Sequence, residues 1–223
     1  MKRIFCILAI ALFAIFQWGC GNSKSASIST SSNGGTTSVS SASLAGKKVL
    51  VTYFSATGNT KKVAEDIAKE TGADVFRIEA AQPYASNPYQ DTDRIKKEAF
   101  ENERPEVKEL LPEKDMATYD VIFVGSPIWW HQPAMVVCTF LEKYDLSGKT
   151  VILFFTYGSR DYLNESMQRI YKSTPNSIHV PQTLPMDLEP DNIQEVQKDD
   201  AGIFMPEDAS DTASWLRQIG VLP

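Results

Sequence analysis

Three short runs, Val49 to Phe54, Val121 to Gly125 and Thr150 to Thr156, are nearly continuous in apolar residues and rich in Val, Ile and Phe. Each follows polar or turn residues, which is how strands covered on both faces of a parallel sheet read. Asp74 to Glu79 alternates instead, with Phe76 and Ile78 set against Val75, Arg77 and Glu79, and predicts an edge strand with one wetter face. Between these runs the period changes to that of a helix. Residues 60–70 carry Val63, Ala64, Ile67 and Ala68 on one face, opposite the i,i+4 pairs Lys61–Glu65 and Lys62–Asp66. Residues 133–144 open with Pro133 in a first-turn position and are apolar almost all round, predicting a well-buried helix. Further helices are predicted near 92–102, 160–172 and 208–219, the last with Trp215, Leu216 and Ile219 inward and Gly220 just past its end. A fifth strand is placed at Ile178 to Val180, inside the Pro- and Asp-rich stretch 173–206. Alternating strands and helices imply a doubly wound α/β fold, a parallel sheet with helices on both faces.

The chain has 223 residues, 43% of them apolar and 22% charged, enough for one globular domain with additions. No apolar run of about 20 residues lies outside the N-terminus, which excludes a polytopic membrane protein. The formal charge of −6 argues against gripping a phosphate backbone, so nucleic acid is not an expected partner. The first residues differ from the rest. Lys2 and Arg3 precede Ile4 to Phe16, an apolar run too short to span a bilayer with margin, which predicts a secretory signal over 1–19. Gly19 and Cys20 then resemble the lipobox of bacterial lipoproteins, which implies a lipidated Cys20. Of residues 21–46, 22 are Ser, Thr, Gly, Asn or Ala, so 20–46 reads as the lipidated cysteine plus a flexible linker and 47–223 as the folded domain. Loss of Lys2 and Arg3 takes the mature charge to −8, a surface that anionic lipid repels, so membrane attachment rests on the lipid alone. The expected location is extracytoplasmic, at the membrane. Cys138 is then the one cysteine of the folded part and reads as a small buried hydrophobe, with no metal site expected from His131 and His179.

In open α/β sheets a ligand sits beyond the carboxyl ends of the strands. After the first strand come Ser55, Ala56, Thr57, Gly58, Asn59 and Thr60, four hydroxyl or amide side chains and a glycine leading into a helix N-terminus. This is either a cradle for a phosphate or an ordinary helix cap. Lys61 and Lys62 in the first turn oppose the helix dipole, a conflict that a bound anion would remove. After the third strand, Pro127, Ile128, Trp129, Trp130 and His131 place two indoles at the rim, where one stacks on a flat ligand or both cap the core. His131 either donates to that ligand or faces solvent. Thr156, Tyr157, Gly158 and Ser159 form the third polar strand end. There is no G-x-G-x-x-G, no G-x-x-x-x-G-K-[ST] and no G-x-S-x-G.

Ser55-Ala-Thr-Gly-Asn-Thr60 resembles the phosphate loop of flavodoxins, and Gly125-Ser-Pro-Ile-Trp-Trp130 resembles their ring-binding loop. The stretch from Tyr89 through Arg94 to Arg104 and Pro105 is similar to a bacterial flavodoxin-like branch, whereas Thr52 stands where the family has an apolar residue. The resemblance implies a five-stranded sheet of order 2-1-3-4-5 with FMN at the switch between the first and third strands. Ser55, Thr57, Gly58, Asn59 and Thr60 would hold its phosphate, with Ala56 in the same loop; Pro127 to Trp130 would line its ring, with His131 beside it; and Thr156 to Ser159 would close the other side. It implies an electron carrier between redox partner proteins; the alternatives are an NAD(P)H-dependent FMN oxidoreductase acting on quinones or similar acceptors, and a binding protein that has lost flavin. The acidic run 187–200 is a candidate surface for steering a basic partner.

Overall fold

The computed structural model describes residues 44–180 and 212–223. The elements run β1 (Val49–Tyr53), α1 (Asn59–Thr71), β2 (Asp74–Arg77), α2 (Thr92–Phe100), α3 (Glu113–Met116), β3 (Val121–Trp129), β4 (Gln132–Pro133), α4 (Met135–Leu141), β5 (Thr150–Thr156), α5 (Leu163–Ser173), β6 (Ile178–Val180) and α6 (Thr212–Gln218). Five parallel strands lie in the order β2-β1-β3-β5-β6, and β4 pairs antiparallel with the end of β3. With β4 set aside this is the predicted order 2-1-3-4-5. The edge between β1 and β3 is the point where the strand order reverses, so the carboxyl ends of these two strands frame a crevice.

Strand alternation sorts the apolar residues into two cores. Leu50, Ile122, Val124, Val151, Leu153 and Phe155 face α4 and α5 and pack with Val137, Phe140, Met167 and Ile170. Val51, Tyr53, Phe123, Ile152 and Phe154 face α1 and α6 and pack with Ile67, Trp215 and Leu216. Helices therefore cover both faces. Thr52 is fully buried in β1 and its hydroxyl has no hydrogen-bond partner, a penalty of about 1–3 kcal/mol in general, where an apolar side chain would carry none.

Three predicted boundaries are corrected. Pro133 does not open a helix. The third strand continues past Gly125 to Trp129 and turns back, pairing Ile128 with Pro133 and Trp129 with Gln132, so α4 starts only at Met135. The second strand stops at Arg77, two residues early, although Ile78 is fully buried and Val75 is 47% exposed as the alternation requires. The helix predicted over 160–172 begins at Leu163, after a single 3-10 turn over 160–162. The predicted signal, Cys20, the linker up to residue 43, the acidic run 187–200 and residues 208–211 of the last helix lie outside the described residues. Among the described residues no helix is long and apolar enough to cross a membrane.

Candidate functional site

The first loop is shaped by its own side chains. Ser55 Oγ accepts the Gly58 N–H at 3.1 Å, closing a turn in which Gly58 has φ of +99°. A Cβ at Gly58 would meet nothing within 4 Å, so glycine is required here for its backbone conformation and not for space. The turn starts α1 at the crevice, where Thr57 and Asn59 line the cavity. Two bonds fasten the loop to its neighbours. Arg77 Nη2 donates to the Ser55 carbonyl at 3.2 Å, and the buried hydroxyls of Thr60 and Thr156 lie 2.8 Å apart, joining the first loop to the end of β5.

The hairpin made by β3 and β4 supplies the second wall. Its turn places two consecutive non-glycine residues in the left-handed region, Trp130 at φ +49° and His131 at +68°. The base of the hairpin is braced by Ser126, whose hydroxyl accepts the Ala134 N–H at 2.9 Å. Trp129 turns inward, its ring 5.3 Å from Phe54 and 5.2 Å from Tyr84 in edge-to-face contacts. Trp130 turns outward, 39% exposed, with Lys96 Nζ 4.2 Å from the centre of its ring. The two indoles thus divide the alternatives between them: one caps the core and the other stands at the rim.

The third wall is the loop between β2 and α2, which sequence reasoning did not assign to the site. Asn87 Oδ1 accepts the Tyr89 N–H, Asp91 accepts the Ala85 N–H, and Thr92 Oγ1 donates to the Tyr89 carbonyl. Glu98, 5% exposed, anchors the loop from beneath by accepting from Arg94 Nε at 2.8 Å and from Tyr84 Oη at 2.5 Å. Burial and the Glu98 carboxylate push the Tyr84 hydroxyl far above the ordinary tyrosine range, so it stays a proton donor. The Asn87-Pro88 turn signal ahead of α2 was the available clue.

These walls enclose a cavity of about 430 Å³. Thr57 and Asn59 stand at one side; Ser86 to Tyr89, Thr92 and Ile95 at another; Pro127 to Trp130 and Thr156 to Gly158 complete it. The lining contains no Asp, Glu, Lys, Arg, His or Cys. The remaining predicted residues are placed around this cavity rather than in its lining. Ser55 and Thr60 are buried supports of the loop, Ala56 and Ser55 line a neighbouring cleft, and Gly58 forms the turn. His131 stacks on Tyr162 at 3.6 Å between ring centres, and the Ser159 hydroxyl donates to Asp161. Cys138 is fully buried and its thiol is pushed up by burial, and no metal-ligating group forms among the described residues.

The family model for flavodoxin matches residues 48–195. The chain belongs to the flavodoxin family. Solved structures agree with this membership. A Bacteroides eggerthii protein assigned as a flavoprotein is 34% identical over 60% of this chain and 84% of its own, with a TM-score of 0.52. A similarly assigned Bacteroides uniformis protein is 31% identical over 60% and 86%, with a TM-score of 0.53. A Lactobacillus acidophilus flavoprotein in complex with FMN is 25% identical over 60% and 91%, with a TM-score of 0.50. No curated protein matches the chain. The flavodoxin cavity of this chain couples neutral hydroxyl, amide and N–H groups on one side to aromatic surface on the other, an arrangement suited to a ligand with an anionic end and a flat end.

Proposed function

We propose that this flavodoxin is an FMN-binding redox protein that carries electrons between partner proteins. One observation supports it most: the cavity beyond β1, β3 and β5 has a lining free of carboxylates, with Thr57 and Asn59 beside the N-terminus of α1 and Trp129, Trp130, Tyr89 and Tyr157 around the remainder. A phosphomonoester carries about −1.5 to −2 charges at neutral pH and is repelled by carboxylates but held by N–H and O–H donors. The volume falls within the roughly 300–1,000 Å³ of small-molecule sites. When bound, FMN supplies reversible one- and two-electron chemistry; the chain binds its phosphate, walls the ring and restricts water. The Lactobacillus acidophilus relative is seen in complex with FMN.

Titrating the purified protein with FMN and following the visible absorbance tests the binding. A saturable spectral change supports the reading, and absorbance identical to free FMN at every ratio rejects it. Reduction under nitrogen then separates the roles. A stable one-electron state supports the carrier, whereas bleaching by NAD(P)H with no added reductase identifies an oxidoreductase instead.

The chain is further proposed to be exported and held at the membrane by a lipid on Cys20, as the charged start, short apolar run and Gly19-Cys20 pair indicate. Cys20→Ser is expected to move the protein from the membrane to the soluble fraction on cell fractionation. Unchanged partition rejects acylation at that residue.

A further inference from the structure

The hairpin turn that carries Trp130 is held in an unfavourable conformation, and one face of α5 is devoted to holding it. Non-glycine residues in the left-handed region cost of order 1–3 kcal/mol each and persist only where their surroundings over-determine them. Trp130 and His131 are two such residues in succession. Beneath them, Tyr162, Glu165, Ser166 and Arg169 recur at the i, i+3, i+4, i+7 spacing of one helical stripe. Each member of the stripe meets the hairpin. The Tyr162 ring lies parallel to that of His131, with an interplanar angle of 11°. Ser166 Oγ donates to the His131 carbonyl at 3.3 Å. Gln132, 3% exposed, is taken at both ends of its amide: Arg169 Nε donates to its Oε1 at 2.7 Å, and its Nε2 donates to Glu165.

Arg169 joins this grip to the rest of the domain. Its Nη1 donates to Asn102 Oδ1 at 2.6 Å, the same oxygen that accepts Arg104 Nη1 at 2.8 Å. Arg104 in turn makes a two-pronged contact with Glu142, at 2.7 and 2.8 Å, and Glu142 also accepts the Ser173 hydroxyl. The planar guanidinium reaches Gln132 and Asn102 from different nitrogens of one fixed fork, a geometry that the single nitrogen of an ammonium does not reproduce. Because α5 is continuous with the loop after β5, the helix that grips one wall of the cavity is also the continuation of another.

We infer that Arg169 is a positioning residue for the ring-facing wall: through Gln132 it holds the Trp130–His131 turn in its left-handed conformation and so keeps Trp129 and Trp130 where the cavity needs them. Arg169 is not part of the cavity lining. The inference rests on the FMN reading for its consequence but not for its geometry.

The test combines FMN titration with backbone NMR of the apoprotein. Arg169→Met is expected to raise the FMN Kd at least tenfold and to shift the Trp130 and His131 amide and Cα resonances away from left-handed values. Arg169→Lys, which keeps the charge but gathers its donors on one nitrogen of a shorter side chain, is expected to fall between. Adding His131→Gly to Arg169→Met should recover affinity, because glycine takes a positive φ without support. A merely destabilised fold would not be rescued in this way. An Arg169→Met Kd within twofold of the parent, unchanged resonances at 130 and 131, or failure of the glycine to recover affinity overturns the inference. If the arginine variants do not fold, Ser166→Ala is read by the same two measurements under the same criteria. If the parent takes up no FMN, the proposed function fails, and the resonances of the apoprotein alone decide whether Arg169 holds the turn.

Discussion

Gly125→Ala is expected to destabilise the protein by about 3 kcal/mol, the upper end of the usual cost of overpacking a core. For a domain of this size that corresponds to a fall in Tm of roughly 6–12 °C. A Cβ at this position would stand 2.2 Å from Phe154 Cζ, 2.4 Å from Cε2 and 2.9 Å from Cε1, distances no relaxed structure contains. The clash cannot be relieved cheaply. Gly125 is paired with Tyr53 on one side and Phe154 on the other, and the Phe154 ring is fully buried in the core beneath α1 and α6. The glycine is therefore there because a ring lies across its α-carbon, one of the established reasons for glycine inside a strand. Differential scanning calorimetry of Gly125→Ala, Phe154→Leu and the double variant checks the cause. The two changes should be strongly non-additive, with the smaller side chain at 154 recovering much of the loss. Simple addition of the two penalties would show that the ring is not what the new methyl group meets. The residue also immediately precedes Ser126, so the same substitution should weaken FMN uptake by disturbing the hairpin base.

The second large effect is electrostatic. Thr57→Asp is expected to weaken FMN binding by about 10- to 100-fold while leaving the unliganded protein's stability within about 0.5 kcal/mol of the parent. Two like unit charges 4 Å apart repel by roughly 4 kcal/mol at an effective dielectric of about 20. Thr57 is exposed, so water and salt reduce this to about 1.5–3 kcal/mol. The signature is its salt dependence. The gap in Kd between Thr57→Asp and the parent should narrow as ionic strength rises, and the uncharged Thr57→Val should show no such narrowing. A Thr57→Asp variant that binds FMN as tightly as the parent at low salt would remove the phosphate from this loop.

How much of this was legible in the sequence depended on the range of the interactions. The buried strands declared themselves because continuous Val, Ile and Phe runs are needed wherever both faces of a strand are covered, and the three central strands β1, β3 and β5 fall where those runs lie. The first loop was equally local, since its turn, its glycine and the helix that follows are neighbours in sequence. The hairpin was not. Pro133 carries the signal of a first helical turn, and only the pairing of Ile128 with Pro133 shows that the chain doubles back first. Nor did periodicity disclose the loop wall at 86–92, whose order comes from Asn87, Asp91 and Thr92 bonding to nearby backbone. The grip of α5 on the hairpin joins residues more than thirty positions apart, through amide and guanidinium groups that also suit a solvated helix face. Polar side chains with distant partners leave no periodic trace, which is why α5 reads from sequence as an ordinary amphipathic helix.

The uncharged lining of the cavity has a consequence for titration behaviour. The lining itself contains no His, Cys, Asp, Glu, Lys or Arg, and the ionisable side chains of His131 and Asp91 belong to the walls behind it. A loss of FMN affinity on acidification through pH 6 that persists in His131→Gln would then report the second ionisation of the nucleotide's own phosphate.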